Sequence, residues 1–147
     1  MRILIATDGS KYSEAALEAV LKRPWPQESL FRVVSVAEIP ALSYVTGEES
    51  VLDYDFSTLK SYHQKIIDEA VAKIRAVGKQ VSGILRDGVA AEEIVDEAKQ
   101  WSADLILVGT HGRRGLSRFL LGSVAQQVAA HAHCSVEIVR MQDKEVL

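Results

Sequence analysis

Five short apolar runs, each separated from the next by a stretch with helical spacing, constrain this chain more than any other feature. They are Arg2–Thr7 (RILIAT), Phe31–Val36 (FRVVSV), Val81–Leu85, Asp104–Val108 and Val136–Val139. The first runs apolar without alternation, as in a strand covered on both faces, and the second is rich in β-branched residues. After the first run, Tyr12, Ala16 and Val20 stand four apart with Leu17 and Leu21 beside them, and Pro24 and Pro26 stop the helix. Ser10 is placed to cap its start. A long helix follows the second run, with Leu59, Ile66, Ala70, Ile74 and Val77 on one stripe, Tyr62 and His63 near it, and Gly78 ending it. A third helix spans Ala90 to Trp101, with Glu92 and Glu93 early and Lys99 late, the order the helix dipole favours, and with Ile94, Ala98 and Trp101 on its buried side. A fourth spans Val124 to His131. Strands separated by helices imply parallel pairing through right-handed crossovers, hence an α/β three-layer sandwich. With 147 residues the chain is expected to form a single domain over 1–147. The pattern lapses between Ala37 and Ser57, so a flexible loop is expected over 38–57; its acidic part, Glu48 to Asp55, reads as a lid, a partner site or a solvated loop.

Several function classes are set aside by composition. No run approaches the roughly 18 consecutive apolar residues of a membrane helix, and Asp8 interrupts the apolar start too soon for a signal peptide. The single Cys134 rules out an internal disulfide and fits a cytoplasmic location. A net charge of −3 argues against bulk nucleic-acid binding, so any anion site must be local.

A local site has a candidate. Residues 109–123 read GTHGRRGLSRFLLGS: Gly109, Gly112 and Gly115 fall at every third position, Gly122-Ser123 closes the stretch, and Arg113, Arg114 and Arg118 lie between with no acid. A strand, a glycine loop with arginines and then a helix start suit the holding of an anion, most often phosphate, although a plain surface loop has similar composition. In parallel sheets, ligands sit beyond the carboxyl ends of strands where strand order reverses. Two loops with unusual chemistry leave such ends: Thr7-Asp8-Gly9-Ser10 and the stretch from Gly109.

These residues resemble the universal stress protein family over essentially the whole chain. The carrying motif is G-x2-G-x9-G-[ST], here Gly109, Gly112, Gly122 and Ser123, supported by ILIATDGS, by Arg86-Asp87-Gly88 and by EEIVDEAKQWSADLILVGTHG. The resemblance implies a five-stranded parallel sheet of order 3-2-1-4-5, a Rossmann-like adenine nucleotide-binding fold, and membership of the ATP-binding type. It implies a site in which Ala6, Thr7 and Asp8 lie by the ribose and adenine and Val36 meets the adenine. Val108, Gly109, His111, Gly112, Arg113, Arg114 and Gly115, then Gly122, Ser123 and Val124, would wrap the ribose and phosphates. The ligand expected is ATP, or ADP or AMP, with Mg2+ held by the phosphates. A homodimer through the strand-five edge, Ser135–Arg140, is also implied; Glu137 stands there where the family strand is usually apolar, and Ser135 follows Cys134 where proline is common.

Read from the residues themselves, several roles stay open. Asp8 suits a ribose hydroxyl or an Asx turn, and Ser123 a phosphate contact or an N-cap. Arg113 and Arg114 suit a phosphate clamp or solvent. His111 suits a polar nucleotide contact or a solvated loop. His131, His133 and Cys134 lack the further ligands of a structural zinc, and no metal is expected. The absence of G-x4-G-K-[ST] excludes a P-loop NTPase, and no G-x-S-x-G elbow or positioned base is present. The expectation is nucleotide occupancy that controls conformation or partner choice in a stress response, with little or no turnover and no catalytic residue. The alternatives are a weak ATPase or self-phosphorylating protein, with Ser10, Ser117 or Ser123 as acceptor, and a nucleotide-free dimerisation module.

Overall fold

The structure, a computed structural model, describes residues 1–38, 49–112 and 120–142, with the backbone alone over 49–55. The elements alternate along the chain as β1 (Arg2–Ala6), α1 (Lys11–Lys22), β2 (Leu30–Ala37), α2 (Glu49–Ala76), β3 (Gln80–Asp87), α3 (Ala90–Gln100), β4 (Leu105–Gly109), α4 (Ser123–His131) and β5 (Ser135–Val139). All neighbouring strands pair in parallel, in the order β3-β2-β1-β4-β5. The expected sheet is therefore the observed one.

The unbroken apolar run of β1 is explained by where it lies. Ile3 and Ile5 join Val33 and Leu107 in one core layer with Ala16, Leu17 and Val20 of α1 and Ile67, Ala70 and Ile74 of α2. Leu4 and Ala6 join Val34, Ile106 and Val108 in the other, against Ile94 and Ala98 of α3 and Ala125 and Val128 of α4. A two-residue period thus sends successive side chains into two separate cores, and both are apolar.

The structure corrects several boundaries. Helix α2 begins at Glu49, inside the segment read as a loop over 38–57; residues 39–48 lie outside the described residues. Its buried stripe is His63, Ile67, Ala70 and Ile74, not the stripe read through Ile66 and Val77. Val77 lies past the helix end and is 50% exposed. Gly78 ends the helix as expected: it takes φ +80°, and Lys79 N–H reaches back to the Ile74 carbonyl. Strand β3 extends from Gln80 to Asp87, longer than the run Val81–Leu85, because β2 pairs with it along its full length. Ser10 caps α1 as expected, its Oγ accepting from Ser13 N–H at 3.3 Å.

Among the described residues, one carboxylate lies in the core layer. Glu97 on α3 is buried, accepting from Arg32 Nη1 of β2 at 2.7 Å and from Arg86 Nη1 of β3 at 3.1 Å. Arg86 Nε also pairs with Glu93 at 2.8 Å. The carboxylate is satisfied by two forks from two strands, the condition under which a buried charge is tolerated. Arg32 also lies over the Trp101 ring, 4.6 Å from its centroid. Trp101, expected on the buried side of α3, is the half-buried residue that ends it. On β5, Glu137 is paired with Arg23 at 2.5 Å, which accounts for a carboxylate on this strand. Among the described residues no helix is long and apolar enough to cross a membrane.

Candidate functional site

Crossovers from β1 and from β4 diverge at the centre of the sheet, and the carboxyl ends of these adjacent strands leave a cleft there. Its cavity volume is about 90 Å³, where a single water needs roughly 10–15 Å³ on the same measure, so it has room for more than one water. Its floor is Ala6, Val34, Val36 and Val108, with Ala90 and Ile94 of α3 and Val124 and Ala125 of α4 as walls, and Thr7, Asp8, Ser13, Gly109, His111 and Gly112 at the polar end. Nine expected site residues are thus brought together: Ala6, Thr7, Asp8, Val36, Val108, Gly109, His111, Gly112 and Val124. Gly122 and Ser123 adjoin Val124 at the start of α4 without lining the cleft. Arg113, Arg114 and Gly115 lie outside the described residues. Ser13, Val34, Ala90, Ile94 and Ala125 were not foreseen. Val34 was readable, since it shares a strand face with Val36; the others depend on how α1, α3 and α4 fold back.

The strand-one loop is built around Thr7. Its Oγ1 lies 3.0 Å from Ser13 Oγ and accepts from Gly9 N–H at 3.3 Å. Ser13 Oγ in turn donates to the Ser10 carbonyl at 3.0 Å. The Thr7 carbonyl accepts from Ser35 Oγ at 2.6 Å, and Ser35 Oγ lies 2.7 Å from Nδ1 of the buried His63. Asp8 makes the Asx turn, Oδ1 accepting from Ser10 N–H at 2.9 Å. Its other oxygen, Oδ2, would lie 3.1 Å from a methyl placed on Gly112, so the two opposing loops meet at this point.

The glycines divide by task. A side chain on Gly109 would run into the backbone carbonyl of Tyr12, so this glycine lets β4 approach α1. Gly122 N–H donates to the Thr110 carbonyl at 2.7 Å, and a methyl there would press on His111 Cα at 3.0 Å and the Thr110 oxygen at 3.1 Å. That amide closes the loop on itself. Gly122 is also the N-cap of α4, which moves Ser123 into the helix as an exposed first residue. At α3 the first amide is taken as well, Ala90 N–H donating to Glu38 Oε1 at 2.9 Å. His111 lies against Tyr12, ring centroids 5.0 Å apart, with Nδ1 3.0 Å from Thr110 Oγ1.

One backbone feature adds polar groups to the cleft. In a parallel ladder, the N–H and C=O of one residue point to the same side, and those of the next to the other. Thr7 N–H donates to Val34 O on the β1 side, and Gly88 N–H donates to Ala37 O on the β3 side. Val36 therefore turns both its N–H and its C=O toward β1, which has ended at Ala6. A donor and an acceptor sit side by side at the floor of the cleft.

Away from the cleft, His131 and His133 are exposed, and His131 Nδ1 lies 3.1 Å from the Gln127 carbonyl. Cys134 packs against the α3–α4 core, and burial pushes its thiol pKa up.

A parallel α/β sheet with a cleft at its switch point, floored by aliphatic side chains and edged by two polar loops, places the chain in the doubly wound α/β class. The chain belongs to the universal stress protein family, whose profile matches residues 1–140. It is 35% identical over 147 residues to the universal stress protein MJ0531 of Methanocaldococcus jannaschii, covering 98% of this chain and 84% of that one. It is 32% identical over 145 residues to YxiE of Bacillus subtilis, covering 95% and 98%. The solved structure of MJ0577 superposes with a TM-score of 0.87 at 25% identity, covering 97% of each chain. The fold is shared with a universal stress protein in complex with cAMP (TM-score 0.64, 24% identity, 95% of each chain). It is also shared with an AMP-bound family protein of Arabidopsis thaliana (TM-score 0.73, 17% identity, 100% of this chain and 95% of that one).

Proposed function

We propose that this chain is a nucleotide-binding universal stress protein that takes an adenine nucleotide, ATP or its ADP or AMP forms, in the switch-point cleft. Occupancy sets its conformation or partner choice in a stress response, with little or no turnover. The observation that carries this reading is the Val36 backbone pair over an aliphatic floor. The amino group of adenine donates to a carbonyl, its N1 accepts from an N–H, and its flat faces suit Val34, Val108 and Ile94. Asp8, on the polar side of the same cleft, suits a ribose hydroxyl. The two relatives described with cAMP and with AMP carry the same base on the same fold. Mg2+, when present, would ride on the phosphates and neutralise their charge, as no protein ligand is required of it.

The described polar groups support binding more than chemistry. The Ser10 hydroxyl is used in capping α1 and the Thr7 and Ser13 hydroxyls hold each other, so none of these is presented as a nucleophile beside a base. A homodimer through Ser135–Arg140 and a cytoplasmic location complete the proposal; β5 is an edge strand, and light scattering of the purified protein reads its oligomeric state directly. The function is tested by heat-denaturing purified protein, identifying any released nucleotide, and titrating nucleotide-free protein with Mg-ATP in a calorimeter. Saturable one-site binding is expected. No released nucleotide together with no heat would remove the proposal, whereas stoichiometric serine phosphate after incubation with ATP would turn it toward a self-phosphorylating protein.

A further inference from the structure

The ladder between β1 and β2 stops one rung short of the Val36 amide. Were the pairing of β1 with β2 to continue by one rung, the Val36 N–H would donate to the Thr7 carbonyl, the acceptor next in register after the Thr7 N–H to Val34 O bond. That carbonyl instead takes the Ser35 hydroxyl at 2.6 Å. Ser35 has a single hydroxyl hydrogen, and it is committed to Thr7. Its 2.7 Å contact with His63 Nδ1 must then run the other way, from the ring N–H to the hydroxyl oxygen. His63 and Ser35 are 6% and 1% exposed, so no water competes for either bond. The chain of donors runs from α2 through β2 to the end of β1, on the sheet face opposite the cleft floor, where Phe31 and Val33 also point.

We infer that Ser35, oriented by His63, is a positioning residue for base recognition: by occupying the Thr7 carbonyl it holds the Val36 N–H available to the N1 acceptor of an adenine ring. The inference rests on the proposed adenine site and adds to it the reason the donor stays open. Without the hydroxyl, the Thr7 carbonyl is a buried acceptor lacking its side-chain partner, and the nearest backbone donor in register is Val36 N–H. The ladder then closes by one rung and removes the donor from the cleft. The aliphatic floor and the Asp8 loop remain in place, so the loss falls on N1 and not on the ribose or phosphates.

The test compares ATP with 1-deaza-ATP, in which a C–H replaces N1, by calorimetry on wild-type protein and on Ser35→Ala. Wild type should bind ATP about three- to tenfold more tightly than the 1-deaza analogue, the range of one hydrogen bond. In Ser35→Ala the two ligands should bind within about twofold of each other, through loss of ATP affinity alone. Amide exchange of the nucleotide-free proteins supplies a second reading, with the Val36 amide becoming protected in Ser35→Ala. If Ser35→Ala does not fold, Ser35→Cys serves, its weak S–H donor narrowing the gap in the same direction. A preference for ATP that survives in the variants, or an equal loss for both ligands, overturns the inference and leaves Ser35 a packing residue. Wild type that binds both ligands equally overturns it too while sparing the adenine site; wild type that binds neither sinks the site itself.

Discussion

Substituting alanine at Gly109 and at Gly112 separates the glycine that serves the fold from the one that serves the cleft. The two stand three residues apart in the same motif, and neither requires a positive φ, so alanine is conformationally allowed at both. Their surroundings differ. A methyl on Gly109 meets the Tyr12 carbonyl group and stands 3.0 Å from Ser13 N, all backbone atoms of a helix packed on the sheet. Among the described residues, a methyl on Gly112 meets one atom, Asp8 Oδ2 at 3.1 Å, the far end of a side chain. Overpacking against fixed atoms costs about 1–3 kcal/mol, and Gly109→Ala belongs at the top of that range because backbone on both sides of the contact must shift. At about 2–4 °C per kcal/mol for a chain of this size, the midpoint should fall by roughly 6–12 °C. Gly112→Ala should stay within about 2 °C of wild type, since a small surface-loop change sits near ±0.5 kcal/mol and the lost glycine entropy offsets part of it. Thermal unfolding followed by circular dichroism, with urea titration as a check, reads both. Equal midpoints for the two variants would refute the division of tasks. A large loss in Gly112→Ala with none in Gly109→Ala would reverse it.

Three further outcomes follow from the same contacts. Glu97→Gln keeps the shape but leaves Arg32 and Arg86 without their shared charge; because both guanidinium groups keep some solvent access, a loss of about 2–4 kcal/mol is expected in urea unfolding, below or at the range for fully buried pairs. Ser10→Ala should cost about 1 kcal/mol through the lost cap on α1, whereas Ser123→Ala, an exposed residue that caps nothing, should leave stability within about 0.5 kcal/mol; similar losses in the two would contradict the cap assignment. The Cys134 thiol, its pKa raised chiefly by burial, should stay protonated at neutral pH and react with iodoacetamide more slowly than free cysteine, the rate climbing only as pH passes beyond the ordinary thiol range; rapid alkylation at neutral pH would contradict its packing against the α3–α4 core.

The fold was legible because its signals are local and repeated. Apolar runs of strand length alternated with helical spacing, and Gly78 and Ser10 marked ends that the backbone then used. Strand order came from the family resemblance and not from the runs, since adjacency of β1 and β4 is a long-range fact. Val77 continues a helical spacing that the backbone abandons at Ala76, and Ile67 lay one position off the stripe chosen. The burial of Glu97 carried no signal in the sequence, because its partners Arg32 and Arg86 arrive from two strands. In the site, the loop that carries Asp8 was readable as leaving a strand end and Val36 came from the family resemblance, while Ser13, Ala90 and Ala125 enter the cleft through helix packing that no short window contains. The task of Gly109 was hidden for the same reason: its contact is the backbone of Tyr12, which carries no side-chain signature.

The central claim is that the cleft takes adenine through the backbone of Val36. It is tested most directly by following backbone amide resonances of nitrogen-labelled, nucleotide-free protein during titration with Mg-ATP. The account predicts saturable shifts at Val36, Asp8 and Gly112, with Val36 moving toward the position of a hydrogen-bonded amide. Saturable binding that leaves the Val36 amide unmoved while shifting residues elsewhere would contradict it.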